Sequence, residues 1–238
     1  QACPDAAVLA IPVLGQSGVA DEDSLHRALS LLLLRHLDAV ANNDADAVLD
    51  VVSLSMGYYH EQPADAMSDT LFWPVLQAMG EAGIAVVASA GNDATTMPLF
   101  PAGWAGQVSG LAHDAVPLVS VGALNPNGTV AFFSNAGPWV STHRPGAAVV
   151  STVPTTFNAA GQPSARVNAA GEDRETIDAD DFSSGFGLWS GTSFSAPTLA
   201  GEIANQLASA GGLSDVSSGA ATQRCWDALA ATLGWSRP

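Results

Sequence analysis

Ser193 stands where a helix begins. The stretch Trp189-Ser190-Gly191-Thr192-Ser193-Phe194-Ser195-Ala196-Pro197 sets a small Gly-Thr lead-in before a helical run from Thr198 to Leu207. A hydroxyl at a helix N-terminus has unpaired backbone N–H groups around it and the positive end of the helix dipole beneath it. That is a suitable place to build negative charge on an attacked carbonyl oxygen. The same pattern also fits an ordinary Ser/Thr cap before a core helix. A second stretch, Ile84-Ala85-Val86-Val87-Ala88-Ser89-Ala90-Gly91-Asn92-Asp93, reads as a buried strand ending in a Gly-Asn turn. The amide of Asn92, presented at a strand's carboxyl end, can donate a hydrogen bond to an oxyanion. A third, Val51-Val52-Ser53-Leu54-Ser55-Met56-Gly57, is another buried strand ending in small residues, and Gly57 lets a substrate backbone approach closely.

In this order, these blocks resemble the subtilisin-like serine proteases. Smaller matches support the resemblance, which runs from about Ala2 to about Trp235: Phe100-Pro101-Ala102, Leu118-Val119-Ser120-Val121-Gly122-Ala123, Ser134-Asn135-Ala136-Gly137 and Arg144-Pro145-Gly146. The resemblance implies a serine endopeptidase. Ser193 would be the nucleophile that forms an acyl-enzyme, and the Asn92 amide with the Ser193 N–H would hold the oxyanion. Ser55, Met56 and Gly57 would form one wall of the primary specificity pocket and Ala88, Ser89 and Ala90 the other, with the substrate added as a strand. Gly91 and Thr192 join the substrate-binding set. Leu99 falls at the pocket floor, where a leucine would disfavour large aromatic side chains. The family also places a cis bond before the proline matching Pro101.

The family's triad runs Asp, His, Ser along the chain. The segment Cys3 to Leu14 resembles the strand that follows the histidine's helix, so the Asp and His are expected before Gln1, in an N-terminal fragment or a partner chain. His26, His36, His60, His113 and His143 are followed by Arg, Leu, Glu, Asp and Arg, never by the family's Gly. His36 lies in a helical run and is expected at a surface or edge; His60 follows the Ser55–Gly57 strand end, near the cleft. A serine without its base is a poor nucleophile, so this chain alone is expected to be nearly inactive. A non-catalytic peptide-binding pseudoprotease and a subunit completed by a separate chain are the alternatives.

Alternating elements must hold these residues in place. Strands are expected at about Val8–Leu14, Val48–Ser55, Ile84–Ala90 and Pro117–Leu124. Helices are expected at about Asp23–Asn42, Ser68–Ala82, Ser193–Ala208 and Ala221–Leu233. Near-continuous apolar strands between helices argue for a parallel sheet covered on both faces. Ligand sites in such sheets lie at the strands' carboxyl ends, where Gly57 and Asn92 fall. Asn125-Pro126-Asn127-Gly128 marks a reversal toward Val130–Phe133, and Ala147–Val150 is a short apolar run. The fold class is therefore α/β, which the resemblance sharpens to a subtilisin-like three-layer sandwich, mainly parallel, lacking its N-terminal part.

The 238 residues suit a single partial domain with 47% hydrophobic content, ample for a core. One departure from the family is a long acidic insertion at about 154–188, with Glu172, Asp173, Glu175, Asp178, Asp180 and Asp181. It reads either as a lid or exosite for basic peptides, or as a solvated loop. Calcium stays open by resemblance, but Asp178-Ala179-Asp180-Asp181 does not match an EF-hand loop, and no cofactor or metal motif is present. The 7 basic residues are all arginine against 23 acidic ones, a formal charge of −16. That field disfavours nucleic acid and anionic membrane and favours cationic substrates, or it serves solubility alone. Apolar runs such as Leu31–Leu34 are too short to span a bilayer. Cys3 and Cys225 either pair or remain free thiols. Secretion is favoured by the resemblance only.

Overall fold

Every residue of the segment Ala85–Ser89 is buried, the mark of a strand covered on both faces. In the computed structural model, which describes residues 2–15, 20–62, 71–105, 115–155, 166–175, 182–211 and 215–237, this segment is the second of four parallel strands. The strands β1 (Val51–Leu54), β2 (Ala85–Ser89), β3 (Val119–Leu124) and β4 (Thr142–Pro145) form one sheet in that order. The register sets Val52 beside Val86, Ala88 beside Ser120 and Gly122 beside His143.

Side chains along a strand alternate between faces, and β2 divides the core accordingly. Val86 and Ala88 pack with Leu25 and Leu29 of α1 (Glu22–Ala41) and Val75, Leu76 and Met79 of α2 (Trp73–Glu81). Ala85 and Val87 pack with Leu199 and Ile203 of α3 (Thr192–Ser209) and Trp226 and Leu229 of α4 (Ser218–Leu233). Each fully buried Val or Leu contributes about 1.5–3 kcal/mol, so helices on both faces are what this sheet requires. Local signals set the helix starts. Asp21 caps α1 by accepting from the Ser24 N–H at 2.7 Å, and Pro74 enters α2 where a missing N–H costs no helical bond.

The chain divides into two units, residues 1–146 with 191–238, and residues 147–190. The second contains β5 (Val149–Thr152) antiparallel to β8 (Phe186–Trp189), and the antiparallel pair β6 (Arg166–Ala169) and β7 (Glu172–Glu175). Part of the stretch read as an acidic loop is thus a hairpin; Asp178, Asp180 and Asp181 lie outside the described residues, as do His113 and the expected helix start at Ser68.

Elsewhere the structure departs from the sequence reading at identifiable places. Val8–Leu14 joins no ladder, and Val8 is 85% exposed. A strand needs a neighbour, and no strand among the described residues pairs with this one. Val130–Phe133 contributes only a bridge from Val130 to Leu124 after the Asn125–Gly128 turn. No strand was expected at Thr142–Pro145, yet it forms β4, a half-buried edge strand, which tolerates a proline at its last residue. His36, expected at a surface or edge, is buried. Its Nε2 lies 3.2 Å from the Ala82 carbonyl oxygen and its Nδ1 accepts from the Leu49 N–H at 3.1 Å, so both ring nitrogens are satisfied inside. Cys3 and Cys225 are free thiols; burial pushes the Cys225 thiol up to about 12.

Candidate active site

The carboxyl ends of β1 and β2 and the N-terminus of α3 meet at one place. Gly191 precedes α3 in an extended conformation, and the first helical turn offers N–H groups with no helical partner. The Thr192 N–H donates to Asn92 Oδ1 at 2.8 Å, and the Thr192 hydroxyl donates to the same oxygen at 2.9 Å. A backbone N–H can only donate, so the atom it meets must be the amide oxygen, and the orientation of Asn92 is fixed. Its Nδ2 is left without a hydrogen bond among the described residues, as is the Ser193 N–H. A Cβ added to Gly191 would lie 3.6 Å from Asn92 Nδ2 and 3.7 Å from the Ser193 nitrogen, so the two donors border a common space that glycine keeps open.

Ser193 is held from its other side. Pro197, four residues on, has no N–H to give the Ser193 carbonyl. The Ser55 hydroxyl takes that place, donating to the Ser193 carbonyl oxygen at 3.0 Å, while Ser193 Oγ lies 3.5 Å from the Ser55 carbonyl oxygen. The end of β1 is thereby tied to the start of α3. Gly191 is anchored further by its N–H to the Gly146 carbonyl at 2.7 Å.

The remaining expected site residues surround this point. Gly57 is exposed and Met56 half-buried at the end of β1. Ala88, Ser89 and Ala90 are buried, so any wall they present is backbone. Leu99 is 9% exposed; its Cγ lies 2.6 Å from where a Gly57 Cβ would stand, and its Cδ2 3.0 Å from the corresponding point on Gly91. It fills the space between the two strand ends. The Phe100–Pro101 bond is cis, and Tyr58 and Phe100 exchange backbone hydrogen bonds of 2.9 and 2.8 Å that tie the chain beside Leu99 to the segment after β1. Thr192 is fully buried, so its hydroxyl faces Asn92 and Gly91 rather than solvent.

Among the described residues no imidazole bonds to Ser193: His60 packs its ring against Tyr58, Phe100 and Trp104, and His26 lies edge-on to Phe72. His143 rests against Gly122, where burial holds it below its ordinary value. No three His, Cys, Asp or Glu side chains among the described residues gather as a metal site.

The sequence matches the Subtilase family, peptidase S8, over residues 2–223. The chain belongs to the subtilase family. A solved structure, that of the prenylagaramide maturation protease PagA, superposes with a TM-score of 0.52 at 22% identity, covering 83% of this chain and 53% of that one. The chain thus spans about half the length of that solved protein, and the likeness shows a shared fold. The parallel sheet with helices on both faces is the subtilisin-like α/β fold, and the family is one of serine peptidases. No helix among the described residues is long and apolar enough to cross a membrane.

Two features were beyond the motif reading. Thr192 entered it as a substrate contact, whereas the hydrogen bonds make it the partner that orients Asn92. Pro197 was read as part of a motif, yet its position four residues after Ser193 is itself a legible signal, since proline removes one identifiable helical bond.

Proposed function

We propose that this chain carries the nucleophile and oxyanion donors of a serine endopeptidase. Ser193 Oγ attacks the scissile carbonyl carbon, the carbonyl oxygen becomes the oxyanion between Asn92 Nδ2 and the Ser193 N–H, and the C–N bond breaks to leave an ester on Ser193. The amine departs with the serine's proton, and water then hydrolyses the ester. The observation that carries this reading is the amide of Asn92, turned by Thr192 so that its NH₂ and the Ser193 N–H both stand without partners among the described residues, beside one glycine-lined space. Preorganised donors of this kind act on charge that develops only in the transition state.

The proton must pass through a base, and the described histidines are engaged elsewhere. We assign the base and its orienting carboxylate to polypeptide outside this sequence, an N-terminal portion or a separate chain, because none of the five histidines is followed by the family's Gly. Peptide substrates lie as a strand along residues 55–57. Leu99 closes the primary pocket, so the residue before the cleaved bond is small. Thr192 is assigned as a positioning residue, not a substrate contact. That no imidazole among the described residues bonds to Ser193 favours one second reading, a peptide-binding protein that no longer cleaves.

Turnover of a peptide library by the complete protein decides between them. Cleavage with an initial burst, abolished by Ser193→Ala, supports the peptidase. Peptide binding that is unchanged by Ser193→Ala, with no cleavage, supports the binding protein.

A further inference from the structure

Asn92 sits in a backbone that does not hold itself. Gly91 has φ +104 and Ala94 φ +52, both in the left-handed region that L side chains disfavour. Something outside residues 90–95 must keep that shape, and one buried side chain lies directly behind it. Asn135 is fully buried. Its Oδ1 accepts from the Asp93 N–H at 3.0 Å and the Thr95 N–H at 3.3 Å. Its Nδ2 donates to the Ala90 carbonyl at 3.0 Å and to the Tyr59 hydroxyl at 2.8 Å. Its own N–H donates to the Gly91 carbonyl at 3.0 Å. An asparagine side chain has two donors and two acceptor sites, and all are used on residues that flank Asn92 or on Tyr59.

The adjoining backbone completes the cradle. The Ala94 N–H donates to the Phe133 carbonyl at 2.9 Å, and the Ala136 N–H to the Thr95 carbonyl at 3.0 Å. Within 90–95, Asn92 alone makes no backbone hydrogen bond among the described residues. The Tyr59 hydroxyl, having accepted from Asn135, donates to Asp93 Oδ2 at 2.6 Å. Gly91 is required twice here, by its φ and because Asn135 Nδ2 occupies the place a Cβ would take.

We infer that Asn135 is a positioning residue for Asn92, clamping residues 90–95 from behind while Thr192 turns the amide from the side, and that Tyr59 with Asp93 extends the clamp to the segment following β1. This rests on the reading of Asn92 as an oxyanion donor. The clamp needs an amide specifically: an aspartate keeps the acceptor but sets a carboxylate oxygen against the Ala90 carbonyl, and alanine removes every bond but the backbone one.

The test is a double-mutant cycle in the complete protein, with Asn135→Ala, Asn135→Asp and Tyr59→Phe made alone and with Asn92→Ala. A small misplacement of a catalytic group costs on the order of 10²-fold. Asn135→Ala is therefore expected to lower kcat by about 10- to 100-fold with KM within about twofold, and Tyr59→Phe by about 3- to 10-fold. In the Asn92→Ala background either change is expected to cost less than about threefold, because the group it positions is gone. Losses that multiply in that background, or full kcat in Asn135→Asp, would overturn the inference. If Asn135→Ala does not fold, Tyr59→Phe, which removes one oxygen, carries the cycle. If the wild-type protein turns over no peptide, the functional reading has failed independently, and the clamp is read from the Asn92 side-chain amide signals in ¹⁵N spectra. Displaced or broadened signals in Tyr59→Phe and Asn135→Asp uphold it, and unmoved signals reject it.

Discussion

Replacing Leu99 by alanine should change which residue the enzyme accepts before the cleaved bond. The leucine side chain occupies the gap between two glycines, with Cδ2 2.7 Å from the Gly57 Cβ position and 3.0 Å from that of Gly91. Truncation to a methyl group removes three carbons from a space that neither glycine can refill. A substrate side chain longer by three carbons would then occupy it. At ~0.8 kcal/mol per buried methylene, the gain is about 2.4 kcal/mol, or roughly 50-fold in kcat/KM. The assay is a series of fluorogenic peptides differing only at that residue, from alanine through norvaline to leucine and phenylalanine. Wild type should favour alanine, and Leu99→Ala should move the optimum to leucine, three carbons longer, by about the stated factor, with norvaline, two carbons longer, gaining about 15-fold. An unchanged profile, or a wild-type enzyme that already prefers phenylalanine or tyrosine, would refute the assignment of Leu99 to the pocket floor.

Other perturbations probe the rest of the site. Gly191 is extended, so alanine fits its backbone; the added methyl would stand in ordinary contact with both donors, in the space the oxyanion needs, and kcat should fall by about 10²–10³-fold, the range for loss of one such donor in subtilisin itself, with the melting temperature unchanged. Thr192→Val removes the hydroxyl that donates to Asn92 Oδ1 and accepts from the Gly91 N–H. It should cost about 1–3 kcal/mol in urea unfolding through the unpaired buried groups and about tenfold or more in kcat, while Thr192→Ser retains most of both. His36 is held below its ordinary 6.5, first by burial, so the unfolded chain takes up a proton at a pH where the folded chain does not. Its contribution to stability is therefore present above about pH 6.5 and is lost as pH falls below it. Denaturant midpoints between about pH 7.5 and about pH 5 should fall more for wild type than for His36→Gln; equal slopes would contradict the buried neutral ring.

The central strands were legible because Ala85–Ser89 and Val119–Leu124 are apolar on both faces, and a parallel sheet is what such runs require. The starts of α1, α3 and α4 were legible to within a few residues, whereas α2, read from about Ser68, begins at Trp73 beside Pro74. The Asn92 block stood out because it ends a strand with small residues, and the Ser193 block because small residues lead into a helix. What escaped depended on partners distant in sequence. Nothing near Val8–Leu14 announces that no described strand pairs with it, and β4 is a strand only because β3 lies beside it. The clamp around Asn135 joins residues 40 to 76 positions apart, and a single buried asparagine looks the same in sequence whether it forms four bonds or none. The burial of His36 was hidden in the same way, since its partners Leu49 and Ala82 come from other elements.

The account turns on Ser193 having a reactive hydroxyl beside ready oxyanion donors. The most direct measurement is labelling of the complete protein with a fluorophosphonate probe, followed by intact mass and peptide mapping. The account predicts one adduct, on Ser193, lost in Ser193→Ala and slowed in Gly191→Ala. A folded, complete protein that remains unlabelled, or carries its adduct on another residue, would contradict it.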